Sequence, residues 1–135
     1  MYFNKTILIL EDNLKVLSKL LDKLYTLEGS QPNELSLIVL TNGQQVQDYI
    51  NSNPKAEFDI ALLDFDDKLG RSFHALEIEK FGAEKIIGIS SVPKWNYEAQ
   101  KRGVTRIILK DYAKMDEFAD LVVKEISEMI RELPD

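Results

Sequence analysis

The chain contains no cysteine, which excludes disulfides, thiolate catalysis and cysteine-based zinc sites and leaves its redox compartment open. It has a single histidine, His74, which cannot build a multi-histidine metal site alone and lies in an expected helix as a bystander. No apolar stretch approaches the roughly 20 residues needed to span a bilayer, so membrane insertion is not expected. The opening residues, Met1 to Thr6, run straight into a strand-like segment without a signal-peptide layout, so the expected location is cytoplasmic. Basic charge is in deficit: 17 Lys and Arg against 23 Asp and Glu leave a net charge of −6. A nucleic-acid surface needs a basic field to neutralise phosphates, so direct nucleic-acid binding is not expected. The 6 glycines are scattered and form neither the GxGxxG nor the GxxxxGKS/T spacing of nucleotide-binding loops.

What is present suits one soluble domain spanning residues 1–135, with 44% apolar and 30% charged residues. Apolar periodicity gives strands and helices in strict alternation. Lys5 to Leu10 reads as a buried strand, and Leu14, Leu17, Leu21 and Leu24 follow as a helical stripe. Gly29 and Pro32 stop that helix. Leu35 to Leu40 is the second strand, Gly43 to Asn51 a short helix, and Phe58 to Leu63 the third strand. Ser72 caps a helix carrying Phe73, Leu76 and Phe81, which Gly82 ends. Lys85 to Ile89 is the fourth strand, and Gly88 within it signals close packing. A helix from about Trp95 to Arg102 ends at Gly103, Val104 to Leu109 is the fifth strand, and Phe118, Val122, Ile126, Met129 and Leu133 share one face of the last helix.

Five strands and five helices in that order imply βαβ units with right-handed crossovers and a parallel sheet covered on both faces. Ligands bind such sheets beyond the carboxyl ends of the strands. There the sequence places Glu11-Asp12 after the first strand, Asp64 after the third, Ser90-Ser91 after the fourth and Lys110 after the fifth. Three carboxylates invite a hard divalent cation such as Mg²⁺, and a carboxylate beside a cation and an ammonium can accept a phosphoryl group. Plainer readings exist for each group. Glu11-Asp12-Asn13 also suits capping of the next helix, Ser90 also suits a turn, and Lys110 could form only a structural salt bridge with Asp64.

The motifs Ile-Leu-Ile-Leu-Glu11-Asp12-Asn13, Ala61-Leu-Leu-Asp64, Ile-Gly-Ile-Ser90-Ser91 and Ile-Ile-Leu-Lys110 together resemble the receiver domain of two-component response regulators. The resemblance runs from about Lys5 to Leu133. It implies a flavodoxin-like (βα)5 fold, a doubly wound α/β sheet in strand order 2-1-3-4-5, as a single receiver without an output domain. It implies Asp64 as phosphoacceptor, with Glu11, Asp12, Asp64 and the Asp66 backbone carbonyl holding Mg²⁺, or Mn²⁺ in its place. Ser90 takes the position of the switch hydroxyl, Ser91 the small access position, and Lys110 the phosphate-binding lysine. The phosphodonor implied is a histidine kinase, a phosphotransfer protein or a small molecule. A downstream protein would read the face from about Trp95 to Leu133, a homodimer stays open, and the only catalysis implied is of the chain's own phosphorylation and dephosphorylation.

The chain departs from that pattern in three places. Lys68 and Ser72 stand where the family often has proline and glycine in the loop after the acceptor. Asp111 follows Lys110 where the family has a proline in cis; a cis bond before another residue costs about 2.5–4 kcal/mol, so a trans bond is expected. Ile107 replaces the family's rotating aromatic, which leaves communication to Ser90 and the segment Val92 to Trp95. Two rival functions remain. One is a receiver-like interaction module independent of phosphorylation. The other is a phosphatase of the haloacid-dehalogenase type, which the pair Asp64 and Asp66 resembles, although the acidic pair such enzymes carry on a later strand is missing.

Overall fold

The strands sit where their apolar runs sit, because only a sheet lets short β-branched and leucine-rich segments bury both faces. The computed structural model describes residues 4–66 and 82–133. Among these, β1 (Asn4–Leu10), β2 (Glu34–Leu40), β3 (Ile60–Asp64), β4 (Ile86–Ser90) and β5 (Arg106–Leu109) form one parallel sheet in the order β2-β1-β3-β4-β5. That is the expected doubly wound order. The helices are α1 (Leu14–Gly29), α2 (Gly43–Ser52), α3 (Pro93–Lys101) and α4 (Met115–Glu132). The expected helix over Phe73, Leu76 and Phe81, with its cap Ser72, His74 and the loop through Lys68, lies outside the described residues.

Side-chain alternation along each strand divides the core into two layers. Ile7, Ile9, Ile60, Leu62, Ile87 and Ile89 point to one face, where α1 and α4 cover them with Leu20, Leu24, Phe118, Val122 and Ile126. Leu8, Leu10, Ala61, Leu63 and Ile86 point to the other, against Val46 of α2 and Ala99 of α3. Phe118, Val122, Ile126 and Met129 are buried on α4 as their spacing requires, with Leu133 partly buried beside them. Lys19–Asp116 at 2.8 Å and Lys23–Asp120 at 2.9 Å join the exposed edges of α1 and α4.

Two local expectations need correction. Leu14 is not part of the core stripe of α1; it is 72% exposed, and Val16, Leu17, Leu20, Leu24 and Leu27 form the buried face instead. The docking of the helix on β1 sets its phase, which six leucines in one helix leave undetermined. The third strand begins at Ile60 rather than Phe58, because Asp59 turns to pair with β1. Its backbone N–H donates to Thr6 O at 2.9 Å, and its carboxylate accepts from Thr6 N at 2.8 Å. The second strand is only partly buried, since it is the sheet edge. Gly103 does end α3 as expected, with φ of 97°, the left-handed conformation glycine tolerates just past a helix.

Candidate functional site

A parallel sheet sends the ends of all its strands in the same direction, so residues far apart in sequence meet at one edge. β1, β3, β4 and β5 bring Glu11, Asp64, Ser90 and Lys110 to that edge, and all four are buried. Backbone bonds carry the ladder slightly past the strand ends and fix their height: Phe65 N–H donates to Ile89 O and Lys110 N–H to Ser90 O, both at 2.8 Å.

At the first strand, helix capping and the acidic pair separate. Asn13 caps α1, its Oδ1 accepting from Lys15 N at 3.0 Å and Val16 N at 3.2 Å. Glu11 points inward; its Oε2 accepts from Asn13 N–H at 2.9 Å. One carboxylate oxygen from each of Glu11, Asp12 and Asp64 lies within 4.8 Å of the others. The Lys110 ammonium stands 2.9 Å from Glu11 Oε1 and 3.0 Å from Asp64 Oδ1. Both are close, charge-assisted contacts between a buried ammonium and buried carboxylates. Asp64 Oδ1 also accepts from Asp66 N–H at 2.9 Å, whereas Asp64 Oδ2 is buried with no hydrogen-bond partner.

The electrostatics follow from that crowding. Burial pushes the Asp64 carboxyl up to about 8, with the charge of Glu11 adding to the rise and Lys110 and the Asp66 amide opposing it. Burial works against the Lys110 ammonium too, but Asp64 and Glu11 outweigh it and hold the lysine above its ordinary range. Among the described residues, two buried carboxylates thus share one lysine. An unpartnered buried oxygen in a set of three carboxylates fits a hard divalent cation that takes oxygen ligands and keeps waters. The donors present suit Mg²⁺ or Mn²⁺. The Lys110–Asp111 peptide is trans, as expected for a bond not preceding proline.

The sequence reading considered the Asp66 side chain only within the phosphatase rival and missed its contacts with the serine pair. The Asp66 side chain, rather than only its backbone, is engaged in the site. Its Oδ1 accepts from Ser90 Oγ at 2.5 Å, and its Oδ2 accepts from Ser91 N–H at 2.6 Å and Ser91 Oγ at 2.8 Å. The same Oδ2 lies 3.9 Å from the Lys110 ammonium. The available signal was the i, i+2 spacing of Asp64 and Asp66 opposite a serine pair, which brings a second carboxylate to the edge the first one reaches.

No family model matches the sequence. No curated protein matches it either. Solved structures do match in three dimensions. The phosphorylated cyanobacterial phytochrome response regulator RcpA is 19% identical with a TM-score of 0.72, over 93% of this chain and 92% of that one. The Mn²⁺-bound response regulator Rcp1 is 18% identical with a TM-score of 0.69, over 90% and 91% of the two chains. The response regulator domain of Thermotoga maritima CheB is 18% identical with a TM-score of 0.66, over 96% and 98%. At such identities the likeness is one of fold.

Proposed function

We propose that this chain, which has the flavodoxin-like fold of response-regulator receiver domains, is a signalling switch that accepts a phosphoryl group on Asp64. The observation that carries the reading is Asp64 Oδ2, a buried carboxylate oxygen without a partner, set beside Lys110 and the carboxylates of Glu11 and Asp12. In the transfer, an Asp64 oxygen attacks phosphorus, the bond from phosphorus to the donor's leaving group breaks, and an acyl phosphate forms. The donor is a phosphohistidine of a histidine kinase or phosphotransfer protein, or a small acyl phosphate. Glu11, Asp12, Asp64 and the Asp66 carbonyl would hold Mg²⁺, which supplies charge neutralisation when bound. Lys110 holds a phosphoryl oxygen and offsets the developing charge. Ser90 offers its hydroxyl to another phosphoryl oxygen, and Ser91 borders the access route.

A partner in trans would read the result on the face of α3, β5 and α4, between Trp95 and Leu133. Tyr97, Leu109, Tyr112 and Leu121 are each more than half exposed there, which supports a docking role. The engagement of the Asp66 carboxylate by both serines speaks against its serving as the free acid of a phosphatase. Among the described residues no helix is long and apolar enough to cross a membrane.

The test is intact mass after incubation with Mg²⁺ and acetyl phosphate, for the wild type and Asp64→Ala. One phosphoryl group gained by the wild type alone is the expected result. No gain by folded, Mg²⁺-saturated protein would overturn it in favour of an interaction module independent of phosphorylation.

A further inference from the structure

The donors that converge on Asp66 form a set with a definite chemical preference. A serine hydroxyl, a backbone N–H, a second serine hydroxyl and an ammonium all face one point, and none of these groups brings a charge-bearing acceptor. Such a set binds an anion. The anion in it is the chain's own Asp66 carboxylate, both of whose oxygens are used. The Ser90 hydroxyl that donates to Asp66 also accepts from Val92 N–H at 2.9 Å, so the contact organises the turn from Ser90 to Val92. α3 begins at the next residue, Pro93. The carboxylate is thereby tied to the start of a helix on the exposed apolar face.

We propose that Asp66 is an internal stand-in for the phosphoryl group: its carboxylate occupies the anion subsite made by Ser90, Ser91 and Lys110, and latches the Ser90–Val92 turn in its engaged position before any phosphorylation. The inference rests on the reading of Asp64 as phosphoacceptor for one of its consequences only. A phosphoryl group on Asp64 must displace the Asp66 carboxylate to reach Ser90, so the two anions compete for one set of donors. The turn is accordingly held inward in both states, by Asp66 in one and by the phosphoryl oxygens in the other.

Trp95, the sole tryptophan, is half-buried in the first turn of α3 and reports on this segment. The experiment compares full-length wild type, Asp66→Ala, Ser90→Ala and the double variant, all with Mg²⁺. Asp66→Asn, which keeps the size and removes the charge, covers the case in which the alanine variant does not fold. The Asp66 backbone carbonyl is retained throughout. Without phosphodonor, Asp66→Ala and Ser90→Ala should shift the Trp95 emission alike, and the double variant should shift it no further than either single change. With acetyl phosphate, Asp66→Ala should gain its phosphoryl group about tenfold faster than wild type, the scale of one hydrogen bond to a charged acceptor no longer in competition.

Emission of Asp66→Ala identical to wild type would overturn the latch, and so would shifts that simply add in the double variant. A slower gain of phosphoryl group in Asp66→Ala would overturn the competition. The emission measurement needs no phosphodonor. Failure of every protein to gain phosphoryl mass would therefore count against Asp64 as acceptor, while the latch would still stand or fall on Trp95.

Discussion

The ring of Phe65 lies where a side chain on Gly88 would stand: a Cβ at position 88 would come within 2.5 Å of Phe65 Cε2 and 3.1 Å of Cζ. Phe65 is the residue between Asp64 and Asp66, and its ring belongs to the core layer under α2 and α3. Seating that ring against β4 aims the two flanking carboxylates toward the site edge. Gly88→Ala should therefore lower stability by about 1–3 kcal/mol, as overpacking of a close core does. It should weaken Mg²⁺ binding as well, because Asp64 moves with Phe65. Urea unfolding and a Mg²⁺ titration of Trp95 fluorescence check the two effects. Unchanged stability would mean that the ring moves aside freely.

The glycine also shows how much a one-dimensional pattern can carry. Gly88 in an otherwise branched strand signalled close packing, although not the partner. The convergence of Glu11, Asp64, Ser90 and Lys110 was legible because parallel strand ends must share an edge, whatever the details of the loops. Leu14 and Asp66 were not legible, for different reasons. Leu14 lies in the first turn of a leucine-rich helix, where several phases are equally apolar and only docking chooses among them. The direction of the Asp66 side chain depends on the backbone path after β3 and on the turn after β4, which residue types alone do not specify.

Lys110 faces Glu11 and Asp64 with its side chain wholly buried. Lys110→Met keeps the apolar stem and removes the charge, leaving two buried carboxylates without this lysine's compensation. In the absence of divalent ions this should cost about 3–5 kcal/mol, part of which the carboxylates escape by taking up protons. Added Mg²⁺ should raise the Tm of the variant by more than it raises that of the wild type, since the site has lost its internal cation. Thermal unfolding with EDTA and with Mg²⁺ measures both. Equal Mg²⁺ shifts would show that the lysine and the divalent cation do not share the same carboxylates.

Asn13 separates helix capping from the acidic pair. Asn13→Ala removes two capping bonds to α1 and should cost about 0.5–2 kcal/mol in urea unfolding. The backbone N–H that Glu11 uses survives the substitution. Mg²⁺ affinity should therefore stay close to that of the wild type. A large loss of affinity would instead tie the orientation of Glu11 and Asp12 to the cap.

The Asp64 carboxyl, raised from its ordinary 3.8 to about 8, gives metal-free protein an unusual pH dependence. The folded state keeps a proton on this group to a higher pH than the unfolded chain does. Its contribution to stability is thus fully present below the unfolded value and is lost as pH rises through the folded one. With EDTA, the Tm should fall between pH 5 and about 8 by an amount that Asp64→Asn abolishes, because asparagine has no charge to bury there. Mg²⁺ must displace the same proton, so its apparent affinity should rise over that range and level off above about 8. Differential thermal unfolding of wild type and Asp64→Asn across that range, with and without Mg²⁺, reads both effects. A wild-type Tm that parallels the asparagine variant at every pH would place the Asp64 charge in a far better solvated setting than its burial indicates.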